Sequence, residues 1–250
     1  MIVGACGFGS TGSSAVWDYL KEFDENQALD DFEFFITYLP DGIEDLDFHL
    51  NKQFCKHEAS AVSIVRFRRF IEYYCAHGSM TKKTHLTRER LMQLTDDYIN
   101  NLVQVRWRTV NRTDKLLYPT IFYRYFGSAF LNQRILPKIN KLVGHCVDFY
   151  PVREVDFSIL PDNFDGLSKK YIHDILAEMG ADFSKNIILD QPFLGEYPQK
   201  SFKYFENPVA IIVDRDPRDV YLFMKKFLYK KKRFIPCDNV EDFVTYYKKT

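Results

Sequence analysis

The sequence predicts an α/β fold with a P-loop-type parallel sheet flanked by helices. Short apolar runs of strand length alternate with helical patterns over most of the chain. The first of these runs enters a glycine-rich turn that leads directly into a helix. A long helical pattern at residues 57–142 further predicts a large helical insertion after the second strand. We expect a single domain over residues 1–250.

The composition limits the classes of function. The chain of 250 residues carries 34 Lys plus Arg and 34 Asp plus Glu, so no overall charge attracts nucleic acid or a membrane surface. No apolar run approaches the length of a membrane span. The five cysteines are scattered and no signal peptide precedes the first strand, which predicts a cytoplasmic protein. The sequence does not indicate an oligomeric state.

The strand, turn and helix at the start of the chain are typical of an anion site. Residues 1–3 are an apolar run, and residues 4–14 form the glycine-rich turn. Apolar side chains at helical spacing then fill residues 15–20. Such a turn presents backbone N–H groups and the positive end of a helix dipole to one point, which favours a phosphate.

Two common phosphate motifs fit this turn incompletely. Residues 7–12 have the dinucleotide-binding spacing Gly-x-Gly-x-x-Gly, for which Asp41 or Glu44 would supply the acid after the second strand. Residues 7–14 also match a P-loop, but Ser13 stands where that motif has a lysine. Because the lysine neutralises the β- and γ-phosphates, its loss disfavours an ordinary ATP or GTP hydrolase.

A third interpretation is a P-loop whose ligand has no β- or γ-phosphate. Hydroxyl donors would then bind a single 5′ phosphoryl group, and no metal would be required. The turn contains four such hydroxyls: Ser10, Thr11, Ser13 and Ser14.

A second candidate anion site lies late in the chain. Residues 209–213 form an apolar strand whose exit carries Arg215, and Pro217 is suited to the first position of the following helix. An arginine offers a planar and permanently charged fork to a phosphate. The alternative role for Arg215 is a pair with Asp219 that stabilises the start of this helix.

Together these two segments resemble the sulfotransferases that use 3′-phosphoadenosine 5′-phosphosulfate (PAPS). That family opens with a strand, a loop of the type (Lys/Arg)-Ser-Gly-Thr-Thr and a helix, and residues 10–17 (STGSSAVW) resemble this loop. Its second signature is a late strand running into Arg-(Asp/Asn)-Pro-(Arg/Lys)-Asp-Val, which residues 209–220 (VAIIVDRDPRDV) resemble. The chain departs from the family at Ser10, where a basic residue is usual, and at Phe223, where a serine is usual.

The resemblance implies transfer of a sulfuryl group from PAPS, used as co-substrate, to a hydroxyl or amine of a carbohydrate or small-molecule acceptor. It points to a bacterial, cytosolic relative in which Arg215 binds the 3′-phosphate and no metal takes part. The 5′-phosphosulfate would be held by Gly9, Ser10, Thr11, Gly12, Ser13 and Ser14. The alternatives are a P-loop nucleotide or small-molecule kinase, a dinucleotide-dependent oxidoreductase, and a non-catalytic nucleotide-binding protein.

Two carboxylates are candidates for the general base. The second strand is predicted at Phe32–Leu39, and acids that follow a parallel strand lie at the edge where ligands bind. Glu44 is therefore one candidate. The resemblance indicates the same region, since several sulfotransferases keep a catalytic glutamate just beyond this strand. The alternative is a solvated acidic turn that caps a helix at residues 43–50.

Asp190 is the other candidate, because it closes a short buried strand at residues 187–190. In an ATPase such an aspartate would hold magnesium, but this loop has no lysine, so a proton-accepting role is preferred. A further strand is predicted within residues 151–160, and a helix capped by Ser168 is predicted to end at residues 179–180.

The helical insertion at residues 57–142 has a basic bias. These arginines either pair with nearby acids on solvated helix faces or line a groove for an anionic acceptor. They are Arg66, Arg68, Arg69, Arg106, Arg108, Arg112 and Arg124.

Overall fold

In the computed structural model a parallel sheet of four strands has helices on both faces, and a separate antiparallel pair of strands lies beside it. The structure describes residues 1–53, 56–77, 80–109, 135–144, 153–227, 236 and 238–249. Within these ranges, no helix combines the length and apolar character needed to cross a membrane.

The elements are given in chain order. The first half of the chain contains β1 (Ile2–Gly7), α1 (Ser13–Leu20), β2 (Asn26–Glu33), α2 (Ile43–Asp47), a π-helical turn (Phe48–Lys52), α3 (Lys56–His77), α4 (Met80–Lys83), α5 (Arg88–Leu102) and β3 (Val105–Thr109). The second half contains α6 (Leu136–Val143), β4 (Arg153–Phe157), α7 (Phe164–Glu178), β5 (Asn186–Asp190), two 3₁₀ turns (Pro198–Lys200 and Phe202–Tyr204), β6 (Pro208–Val213), α8 (Pro217–Phe227) and α9 (Val240–Lys249).

The four parallel strands lie in the order β2, β5, β1, β6. Ala5 of β1 is in register with Asp190 of β5, and Gly7 is in register with Val213 of β6. Glu33, at the end of β2, is in register with the same Asp190. The exits of all four strands therefore share one edge of the sheet, where ligands of open α/β sheets bind.

Strand β1 lies in the middle of the core because both of its faces are covered. Val3 and Ala5 pack with Trp17 of α1 on one face. Ile2 and Cys6 belong to the large core cluster on the other face, to which α3, α5 and α7 contribute. The near-continuous apolar sequence of β1 is what a strand buried on both faces requires.

The prediction of a second strand at Phe32–Leu39 is wrong, because β2 spans Asn26–Glu33. Phe34 and Ile36 are fully buried, but they lie in an irregular segment that follows the strand. The Phe34 N–H still donates to the Asp190 carbonyl of β5 at 2.8 Å, but the Ile36 carbonyl accepts from the Ile43 N–H of α2 at 3.1 Å. An apolar segment whose backbone hydrogen bonds are made in this way can be buried without being a strand. Its sequence pattern is then the same as that of a buried strand.

The prediction that residues 57–142 are helical throughout is also wrong. Helices α3, α4 and α5 form, but β3 follows them and pairs antiparallel with β4, with Val105 opposite Phe157. Apolar Val105 and Trp107 alternate with Arg106 in β3, which is the period of a strand. The strand predicted within residues 151–160 exists as β4, but it lies outside the parallel sheet.

Two details concern the starts of helices. Pro137 lies in the first turn of α6, a position that suits proline. Ser168 is not a cap, because α7 begins at Phe164. It is fully buried, and it shares a hydrogen bond of 2.6 Å with the Tyr98 hydroxyl.

Thr37 provides a test of how the irregular segment is held against the sheet. Its hydroxyl is fully buried and donates to the Pro192 carbonyl at 2.8 Å. We expect Thr37→Val to lower the free energy of unfolding by about 1–3 kcal/mol, because it leaves that carbonyl unsatisfied. Urea unfolding measures the change. Thr245→Val on the exposed side of α9 is the control, with an effect below about 0.5 kcal/mol; equal effects would refute the interpretation.

Candidate functional site

The glycine-serine loop, residues 7–14, joins β1 to α1 in a tight path. Ser10 and Gly12 both have left-handed backbones, with φ of 67° and 102°. The Thr11 N–H donates to the Phe8 carbonyl at 3.1 Å, which closes a turn inside the loop. Gly12 is the N-cap of α1 and has no side chain with which to cap it. The Ala15 N–H donates to the Gly12 carbonyl at 3.0 Å, so the N–H groups that helix geometry leaves without an intrahelical partner are those of the first two residues, Ser13 and Ser14.

The absence of a side chain at Gly7 allows the loop to close. A Cβ atom at Gly7 would lie 2.4 Å from the Thr11 Oγ1 atom and 2.7 Å from the Val213 carbonyl oxygen. The segment that leaves β5 also touches this point, because a Cβ atom at Gly195 would lie 3.1 Å from Gly7 backbone atoms. Thr11 Oγ1 is buried and has no hydrogen-bond partner among the described residues.

The arginine segment, residues 214–218, leaves β6 beside this loop. Gly7 and Val213 are the last paired residues of their strands, so the two segments depart from neighbouring positions. Helix α8 also contacts the glycine-serine loop, because the Ser10 hydroxyl lies 3.7 Å from the Met224 sulfur. The sheet therefore brings together the two segments on which the sequence analysis relied.

Arg215 and Arg218 have different surroundings within this segment. The Arg215 guanidinium carbon lies 5.8 Å from the centroid of the Phe223 ring, a cation–π distance. No ion pair joins Arg215 to Asp219 in the described part of the chain. Arg218 instead forms the local pair, with Asp216, and its hydrogen bonds hold the pKa of Asp216 down at about 2.

Helix α9 packs an aromatic cluster against the same corner. The Phe8 ring lies 4.6 Å from that of Tyr247 and 5.9 Å from that of Tyr246. Val220, Met224 and Phe243 are buried beneath these rings. Burial first, and then the nearby carboxylates of the arginine segment, raise the pKa of Tyr247. The cluster joins the loop, α8 and α9 into one packed unit.

Two carboxylates end neighbouring strands at this edge. Asp190 ends β5 and Glu33 ends β2, opposite each other in register. Burial raises the pKa of Glu33. The pKa of Tyr38 is also raised, by burial and then by neighbours that include Cys6, Glu33 and Asp190, so these groups are close together. Burial raises the pKa of the Cys6 thiol to about 12, and Asp190 adds to that rise.

Sequence reasoning missed Glu33 because it misplaced the second strand. Glu44 lies beyond the irregular segment, in the first turn of α2, and accepts a hydrogen bond from the Ser201 hydroxyl. Burial raises its pKa, while the bond from Ser201 opposes that rise. Glu44 therefore does not lie at a strand exit, although its proposed role remains a prediction.

Three arginines of the insertion form ion pairs with acids. They are Arg66 with Asp41 at 2.6 Å, Arg68 with Asp96 at 2.7 Å, and Arg106 with Asp156 at 2.5 Å. Arg112 and Arg124 lie outside the described residues. These pairs favour solvated, charge-balanced faces over an anion groove.

The strand order bears on the dinucleotide alternative. In dinucleotide-binding sheets the first two strands are neighbours, so the acid at the end of the second strand reaches the ribose. Here β5 lies between β1 and β2. An acid at the end of β2 is one strand further away, which disfavours that interpretation.

A cavity of about 410 Å³ lies elsewhere, between α5 and α7. Its floor is formed by Tyr98 and Tyr171, whose rings stack 4.6 Å apart, and its rim includes Asp97 and Lys170. The hydroxyls of both tyrosines are bonded to other core side chains and do not face a ligand. It contains no loop residue, so we place the candidate site at the strand exits.

Among the described residues, no group of three or more His, Cys, Asp or Glu side chains could hold a metal ion. Comparisons with models of protein families, with curated proteins and with solved structures give no match. The sequence motifs and the geometry of this edge are therefore the basis for the function proposed below.

The packing at Gly7 predicts a contrast between two glycines of the loop. We expect Gly7→Ala to lower the free energy of unfolding by about 1–3 kcal/mol, because the new methyl group meets the backbone carbonyl oxygen of Val213 as well as the Thr11 hydroxyl. The Cβ atom introduced by Gly12→Ala would meet no atom within 4 Å. This substitution should therefore lower the free energy of unfolding by about 1 kcal/mol, the cost of a left-handed backbone at alanine. Urea unfolding compares the two, and a larger cost for Gly12→Ala would contradict this packing.

Proposed function

We propose that the protein is a PAPS-dependent sulfotransferase with a P-loop-type nucleotide site. The observation that carries the proposal is the pairing of Gly7 with Val213, which starts the glycine-serine loop and the arginine segment side by side. One doubly phosphorylated adenosine has an anionic group at each end. Two neighbouring anion-binding segments suit such a ligand better than either segment would alone.

The 5′-phosphosulfate would lie on the glycine-serine loop. The neutral donors that would bind it are the backbone N–H groups at the start of α1 and the hydroxyls of Ser10, Thr11, Ser13 and Ser14. Such donors can stabilise the charge that grows on the leaving phosphate during transfer. The buried Thr11 hydroxyl without a partner among the described residues supports a ligand that accepts hydrogen bonds here.

Arg215 would bind the 3′-phosphate. Its guanidinium rests against Phe223 and forms no ion pair with Asp219 in the part of the chain that the structure describes. An arginine stacked on an aromatic ring keeps its planar fork available to a phosphate. The ring of Phe223 therefore supports Arg215 at the position where the family usually has a serine.

The acceptor proton would pass to a carboxylate at the strand exits. Asp190 remains a candidate, and Glu33 joins it because strands in register lie about 5 Å apart. Transfer between two oxygens needs alignment and charge stabilisation, so this chain's own groups suffice without a metal. A carbohydrate or small metabolite with a hydroxyl or amine is the proposed acceptor.

Ligand-induced stabilisation tests the nucleotide assignment. We expect 3′-phosphoadenosine 5′-phosphate to raise the melting temperature by roughly 5–10 °C at about 100 times its Kd. Arg215→Ala should weaken binding about 10- to 100-fold, because a charge-assisted hydrogen bond is lost. Thermal shift against this ligand, ATP with magnesium, NAD and NADP measures the preference.

Arg218→Ala is the matched control, since that side chain is 87% exposed and bonded to Asp216, and it should keep the thermal shift. Stabilisation by ATP with magnesium instead would favour the kinase alternative. Binding of 3′-phosphoadenosine 5′-phosphate without any turnover of labelled PAPS would favour a non-catalytic nucleotide-binding protein.

The pH dependence of turnover tests the proton acceptor. A base must be deprotonated, and burial raises the pKa of Glu33, so the rate should fall as the pH drops through that raised value. Glu33→Gln or Asp190→Asn should lower kcat by about 10²- to 10⁴-fold. The assay is release of 3′-phosphoadenosine 5′-phosphate from PAPS over an acceptor panel.

Glu44→Gln separates the candidates in the same assay, because that carboxylate lies in α2, beyond the irregular segment, and accepts a hydrogen bond from Ser201. This variant should keep most of the wild-type activity, and its rate should fall over the same acidic pH range as that of the wild-type protein. Loss of activity in Glu44→Gln alone would reassign the base to Glu44.

A further inference from the structure

We propose that Gln191 is a positioning residue that orients the hydroxyl proton of Ser13 toward the ligand of the glycine-serine loop. This inference rests on the proposed function, because it explains how one donor of that site is aimed. Gln191 is the first residue after β5, and its neighbour Asp190 ends that strand.

The backbone of Gln191 adopts a conformation that non-glycine residues disfavour. Its φ is 51°, in the left-handed region. Its N–H still donates to the Ala5 carbonyl at 3.0 Å, so the residue stays attached to the central strand. Disfavoured backbone of this kind persists where surrounding interactions require it, and it is enriched at functional sites.

The side chain of Gln191 bridges the two ends of the glycine-serine loop. The Gly7 N–H donates to Oε1 at 3.4 Å, and Nε2 donates to the Ser13 Oγ atom at 2.9 Å. A backbone N–H can only donate, so the carbonyl side of the amide must face Gly7. The NH₂ side must then face Ser13, which fixes the orientation of the amide.

This orientation determines what the Ser13 hydroxyl can do. Oγ accepts a hydrogen bond from Gln191, so its single proton must point to another acceptor. Ser13 is 8% exposed and lies in the first turn of α1, where the helix N–H groups also point. Phosphate and phosphosulfate oxygens accept hydrogen bonds, so an anion on the loop suits this proton.

The direction of the Ser13 proton matters because P-loops have a lysine at this position and the present loop has a serine. A loop without a cation depends on neutral donors, and a hydroxyl is a donor only when its proton faces the ligand. Gln191 provides that constraint from outside the loop, with no contact to the ligand required.

A double-mutant cycle with 3′-phosphoadenosine 5′-phosphate tests the inference by isothermal titration. We expect Gln191→Leu to raise Kd about 10-fold when Ser13 is present, and less than about 2-fold in a Ser13→Ala background. Gln191→Asn is a second variant, because asparagine tolerates the left-handed backbone but is too short to bridge the loop; it should also raise Kd. Gln199→Leu, at an exposed position, should leave Kd unchanged.

Gln191→Glu adds a readout that a merely structural role would not change. The introduced carboxylate accepts the Ser13 proton and turns it away from the ligand, so Kd should rise at pH 8 and recover as the pH falls and the carboxyl is protonated. Equal losses from Gln191→Leu with and without Ser13 would overturn the inference while the proposed function stands. Failure of the wild-type protein to bind the nucleotide would overturn both.

Discussion

The site depends on the absence of a side chain at Gly7, the last residue of the central strand. Three segments meet there: the loop through Thr11, strand β6 through Val213, and the exit of β5 through Gln191 and Gly195. No side chain larger than hydrogen leaves room for all of these contacts. Because β1 is held between β5 and β6, this close approach fixes the position of the loop relative to both neighbouring strand exits.

Sequence patterns predicted the parts of the fold in which local and tertiary signals agree. The first strand, the loop and α1 are such parts, as are β5, β6 and the start of α8 at Pro217. The edge strand β2 was misplaced because its own sequence is polar, whereas the apolar run that follows is buried without being a strand. The hydrophobic period of a sequence indicates which residues are buried. It does not indicate which hydrogen bonds the backbone of those residues makes.

The same limit explains which candidate site residues the sequence could indicate. Arg215 and the loop serines belong to recognisable motifs, so the residue types and their order in the sequence were enough to indicate them as candidates. Glu33 became visible only when the end of β2 was known. Gln191 has no sequence signal, because its position depends on a left-handed φ and on a side chain that reaches Gly7. Spatial neighbours distant in sequence escape any local pattern.

The charge distribution agrees with a small and local anion site. The chain has equal numbers of acidic and basic residues, and Arg66, Arg68 and Arg106 of the insertion are paired with acids. Arg215 is different, because its guanidinium lies over an aromatic ring. If the loop supplies only neutral donors, Arg215 is the cation that would orient the proposed nucleotide. A ligand with a second phosphate to meet that cation is therefore favoured over one whose charge lies entirely on the loop.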